Sequence, residues 1–131
     1  MIKKLILSTL LATVLLAPSS QSYARTQTVI KENFKEIVLD SKKPVIVDVF
    51  APWCPPCKHM MPLFEELANE FSEQYTFVKL NAEQSEELAE QYTVRSFPTL
   101  LFFRDGVLQG RHSGYLNKKQ MMEKINEVFA Q

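Results

Sequence analysis

The sequence of 131 residues contains only two cysteines, two histidines and one tryptophan. Two cysteines exclude a framework of several disulfides. A zinc site needs about four ligands, and only His59 and His112 could join the cysteines. Fifteen basic and fifteen acidic side chains cancel, and the basic ones form no long run. Nothing therefore suggests a phosphate-binding surface, and nucleic acid is not an expected partner. The chain has no internal repeat, no low-complexity segment and no sign of a second domain. Its longest apolar run, Leu5 to Ala17, is well short of the roughly 20 residues that a membrane-spanning helix needs.

That run has another use. Met1-Ile2-Lys3-Lys4 is a positive start, and the polar stretch after the run ends Ser22-Tyr23-Ala24, with small residues where a signal peptidase reads. The layout is that of a secretory signal peptide. No cysteine follows the run closely, so lipid attachment is not expected. Residues 1–24 are read as a cleaved signal peptide, and 25–131 as one compact domain. The signal would remove Lys3 and Lys4 and leave a net charge near −2.

Both cysteines, the tryptophan and three of the seven prolines lie in Asp48-Val49-Phe50-Ala51-Pro52-Trp53-Cys54-Pro55-Pro56-Cys57-Lys58. In an oxidising compartment two cysteines tend to be joined. A purely structural role is disfavoured by magnitude. A loop this short should stabilise the fold by only about 2 kcal/mol, against about 4.7 for a loop of 100 residues.

The surrounding pattern is a scaffold. Thr28-Val29-Ile30 is a short strand candidate. Phe34, Ile37 and Val38 give Glu32 to Asp40 a helical face. Val45 to Phe50 is apolar on both faces except Asp48, as in a central strand covered on both sides. Met60, Met61, Phe64, Leu67, Ala68 and Phe71 mark the buried stripe of a helix, with a kink expected at Pro62. Tyr75 to Leu80 is the next strand. Ser85 is placed to cap a short helix through Gln91. Thr99 to Arg104 is a core strand, and Asp105-Gly106 is a hairpin turn leading into Val107 to His112. Asn117 caps the last helix, with Gln120 completing a capping box. Met121 or Met122, Ile125, Val128 and Phe129 form its inner stripe. The order β-α-β-α-β-α-β-β-α implies an α/β fold. Its mixed central sheet has parallel strands, an antiparallel edge from the hairpin, and helices on both faces.

From about Val29 to Phe129 the sequence resembles the thioredoxin family. Trp53-Cys54-Pro55-Pro56-Cys57-Lys58 resembles that family's WCGPCK site. Asp48 stands at its buried aspartate, Lys79 at the lysine near it, Phe97-Pro98-Thr99 at its cis-proline loop, and Gly114 at a glycine beside the substrate groove. Two positions depart from the pattern. Pro55 replaces the usual glycine, and Phe97 replaces a smaller aliphatic residue.

The resemblance implies a thioredoxin fold and a thiol–disulfide oxidoreductase. Cys54, at a strand-to-helix junction, is the expected nucleophile, because helix N-termini stabilise a thiolate. Cys57, three residues on, would resolve the mixed disulfide. Burial would raise the pKa of Asp48 and suit it to a proton relay. Lys79 is a possible charge partner, although an exposed strand lysine fits the same pattern. Trp53, Pro55, Pro56, Phe97, cis-Pro98 and Gly114 are expected to contact substrate, with Phe97 open to an ordinary core role. Pro55 stiffens the site but removes an N–H that a glycine would offer the sulfur. No cofactor and no metal are called for. A Cu(I) site on two thiolates and a redox-inert interaction domain stand as alternatives of a different class. Within the same class, disulfide donation or isomerisation stands beside reduction. The expected setting is the periplasm of a Gram-negative bacterium. The expected partners are disulfide-containing proteins and an inner-membrane thiol–disulfide electron donor, with the protein itself a monomer.

Overall fold

The computed structural model describes residues 26–130, so the expected signal peptide lies outside the described residues. The elements are β1 (Gln27–Thr28), α1 (Lys31–Phe34) running into a π-helical turn (Lys35–Leu39), β2 (Val45–Phe50), α2 (Pro55–Glu70) and β3 (Thr76–Asn81). They continue with α3 (Glu86–Gln91), β4 (Thr99–Arg104), β5 (Val107–Ser113) and α4 (Lys118–Phe129). Five strands form one sheet in the order β1-β3-β2-β4-β5. β2 sits at its centre, parallel to β3 and antiparallel to β4.

Alternation along β2 sorts the core into two halves. Val45, Val47 and Val49 meet Phe34, Val38 and Leu88, so α1 and α3 cover one face. Ile46 meets Met60, Phe64, Leu67, Met121 and Ile125, so α2 and α4 cover the other. Asp48 has the parity of Ile46 and points to the α2 side. On that side Asp48 is close enough to α2 to feel the charge of Glu65.

Three local expectations are revised. The segment over Glu32 to Asp40 is not one regular α-helix: the Asp40 N–H reaches back five residues to the Lys35 carbonyl and widens the last turn. Ser85 stands at the N-cap of α3, but its hydroxyl is buried and bonds to nothing among the described residues. And β4 is antiparallel to β2 rather than a further parallel strand. The reason is length. Six residues of α3 rise about 9 Å, whereas the six-residue strands beside it extend about 20 Å. Helix α3 does not run the length of the sheet, and β4 starts from the end at which β3 finished.

The hairpin forms as expected. Asp105 and Gly106 both have positive φ, 52° and 76°, the pair of angles that a type I′ turn requires. The Asn117–Gln120 capping box is complete, with bonds of 2.9 and 3.0 Å. α2 continues unbroken through Pro62. Among the described residues no helix is long and apolar enough to cross a membrane.

Candidate active site

Every backbone donor at the start of α2 is accounted for. Cys54 is the N-cap, extended at φ −84° and ψ 110°. Its N–H bonds to the Ala51 carbonyl, and its carbonyl accepts from Lys58. Pro55 and Pro56 fill the first two helical positions, where a missing N–H costs nothing. The third N–H, from Cys57, donates to Cys54 Sγ at 3.3 Å. With two prolines in place, this is the one first-turn N–H directed at the sulfur. The cysteines are joined, with a Cα separation of 5.3 Å, inside the range that a disulfide tolerates. Both are buried.

The predicted substrate-contacting residues mostly converge on this pair. The Phe97–Pro98 peptide bond is cis. Phe97 packs against Ala51, Cys54 and Cys57. Its ring meets Trp53 edge-to-face at 6.1 Å, while Trp53 itself is 65% exposed. Gly114, at φ 106°, donates its N–H to the Pro98 carbonyl at 2.8 Å. A Cβ there would meet nothing within 4 Å, so the backbone is open on that side. Pro55 and Pro56 are exposed. Beside Trp53 and Phe97 opens a groove of about 480 Å³ that also takes in Ala82 and Val94 and carries Glu83, Glu86, Glu90 and Arg95. These rim charges were not foreseen, because no motif or spacing ties them to the cysteines.

Asp48 is fully buried, and neither carboxyl oxygen has a hydrogen-bond partner among the described residues. Burial pushes its pKa up to about 7; Lys79 pulls it down and Glu65 pushes it further up. Lys79 is the register partner of Asp48 across β2 and β3. Its ion pair, however, is not with Asp48: the Lys79 ammonium sits 2.9 Å from Glu65 Oε1. Glu65 also accepts from the Thr26 N–H at 2.8 Å and from the Thr26 hydroxyl. Burial raises the Glu65 carboxyl, but the Thr26 donors and then Lys79 outweigh it and hold the group below its ordinary value. Glu65 and Thr26 were not foreseen. The available signal was a charge at the edge of the α2 stripe, between Phe64 and Ala68. Among the described residues no three of His, Cys, Asp or Glu are grouped so as to hold a metal ion.

A cysteine pair closed across the first turn of a helix, opposite a cis-proline on a mixed five-stranded sheet, defines a thioredoxin-fold domain with a CXXC disulfide. Residues 25–127 match the family model described as Thioredoxin, and the chain belongs to that family. It is 38% identical over 112 residues to "Thioredoxin M-type, chloroplastic" of Spinacia oleracea, covering 86% of this chain and 62% of the relative. It is 40% identical over 86 residues to the thioredoxin of Mycoplasmoides gallisepticum, covering 66% and 85%. It is 38% identical over 96 residues to "Thioredoxin C-2" of Corynebacterium nephridii, covering 73% and 89%. The chain thus spans somewhat less than two thirds of the spinach relative's length.

Proposed function

We propose that the protein is an exported thiol–disulfide oxidoreductase that reduces protein disulfides in the periplasm of a Gram-negative bacterium. The observation that carries the reading is the Cys54–Cys57 pair at the N-terminus of the 16-residue helix α2, beside the Trp53–Phe97 groove. In the reduced protein the Cys54 thiolate attacks one sulfur of a substrate disulfide. A mixed disulfide forms, and the first substrate thiolate leaves and takes up a proton. Cys57 then gives its proton to Asp48 and attacks Cys54 Sγ, and the second substrate sulfur leaves as a thiolate. Two electrons have passed to the substrate, and the protein is left with the disulfide described above. A thiol–disulfide donor in the inner membrane returns it to the dithiol.

The location of Asp48 under α2 and its pKa of about 7 suit it to accept the Cys57 proton near neutral pH. A substrate strand would pair with the backbone at cis-Pro98 in a β-augmentation mode, with Trp53 and Phe97 as apolar contacts. Export rests on the charged start, apolar run and Ser22-Tyr23-Ala24 end of residues 1–24. The word chloroplastic in the spinach relative's name describes that protein.

Insulin reduction with dithiothreitol tests the activity. The wild type should be active and Cys54→Ser inactive; full activity in the variant would overturn the assignment. A glutathione titration tests direction: a potential near that of strong oxidants, about −120 mV, would replace reduction by disulfide donation. Periplasmic protein beginning at Arg25 is the expected product of export; full-length protein retained in the cytosol would refute it.

A further inference from the structure

We infer that Glu65 is a positioning residue: anchored by Thr26, it holds the Lys79 ammonium and so leaves the buried Asp48 carboxyl without an ion-pair partner. The inference rests on the reading of Asp48 as the proton acceptor for Cys57.

Two carboxyl groups compete for one ammonium. Lys79 and Asp48 are directly opposite on neighbouring parallel strands, about 4.8 Å apart, with side chains on the same face. Reach therefore does not keep them apart. Glu65 wins because it is over-determined. It receives the Thr26 N–H, the Thr26 hydroxyl and Lys79, whereas Asp48 receives nothing among the described residues. Thr26 is delivered by β1, which pairs with the outer edge of β3 at Gln27↔Val78 and Thr28↔Lys79. A two-residue strand thus fixes the clamp from outside the site. Among the described residues the charged groups that act on Asp48 are Lys79 from β3 and Glu65 from α2, and its register partner on β4 is the apolar Leu100. Removing the Glu65 charge would free Lys79 to turn toward Asp48 and would also remove a direct repulsion. Both changes favour the ionised Asp48.

The test uses the oxidised protein, in which the joined cysteines do not titrate. Carbon-13 NMR follows the Asp48 carboxyl, assigned with Asp48→Asn. Glu65→Gln should lower the titration midpoint by about one pH unit, and Glu65→Asp should restore it toward the wild-type value. Glu65→Ala serves the same purpose should the glutamine variant fold poorly. Lys79→Met should raise the midpoint, and in that background the Glu65→Gln shift should shrink. An unmoved or rising midpoint in both Glu65→Gln and Glu65→Ala would overturn the inference. So would a Glu65→Gln shift of equal size with and without Lys79, because the effect would then be direct repulsion alone. In the reduced protein, the Glu65→Gln pH–rate profile for insulin should move to lower pH, with about fivefold faster turnover at pH 6. A shifted titration with an unshifted rate profile would uphold the clamp and refute the relay role of Asp48, so the two failures are distinguishable.

Discussion

Asp48 should make the protein less stable as pH rises, and Asp48→Asn should abolish that loss. Burial pushes the carboxyl up to about 7 in the folded chain, against 3.8 for an unperturbed aspartate. Below pH 3.8 it is protonated in both the folded and the unfolded state, and its ionisation costs nothing. Between 3.8 and 7 the folded state keeps a proton that the unfolded state has lost, so unfolding free energy falls by about 1.4 kcal/mol per pH unit. Over a window of about three units the loss reaches roughly 4 kcal/mol and then stays constant. Asparagine does not titrate, so any fixed cost of burying its amide is the same at every pH. Other carboxylates, Glu65 included, are common to both proteins and cancel to first order. The assay is urea unfolding of the oxidised proteins from pH 3.5 to 8.5. With a slope of about 1.5 kcal/mol per molar urea, the variant's midpoint should gain about 3 M on the wild type between the two ends. A difference that stays flat with pH, or that shrinks as pH rises, would refute the reasoning.

Gly106→Ala should be costly despite its position in an exposed turn. The residue has φ +76°, and an added Cβ would lie 2.8 Å from the Leu39 carbonyl oxygen, so a loss of about 1–3 kcal/mol is expected and thermal unfolding reads it directly; an unchanged melting temperature would contradict it. Trp53→Ala should do the opposite. Its ring is largely exposed, so stability should move by about 0.5 kcal/mol or less. Loss of the groove wall and of the contact with Phe97 should raise KM for insulin about fivefold at little change in kcat; an unchanged KM would remove Trp53 from the substrate surface.

The parts of the fold that periodicity encodes were legible. β2 and β4 occupy the expected residues, and the Asp105-Gly106 turn and the Asn117 cap are present because each depends on local chemistry. Periodicity carries no information about strand direction. β4 is antiparallel because the chain re-enters the sheet at the end where β3 left it, and an alternation of strands and helices does not record that. The π-helical turn escapes for a similar reason: Phe34 and Val38 remain buried whether the last turn closes over four residues or five.

The site divides along the same line. Cys54, Cys57, Phe97 and Pro98 are placed by short-range geometry and by motif, and the chain brings them together as the motif implies. The partner of Lys79 is a different kind of question. Strand register puts Lys79 opposite Asp48, and a reading that stops at register pairs the two. An ammonium between two carboxyls goes to the one whose remaining charge is better solvated by donors. Glu65 has the Thr26 N–H and hydroxyl as well as partial exposure, whereas Asp48 has neither. That contest is decided by a residue 53 positions away from Lys79 in sequence, held there by a strand of two residues. In the role proposed for it, Asp48 needs burial without a close cation. In this fold the burial is written in β2, and the diversion of the cation is written in α2 and in Thr26, just before β1.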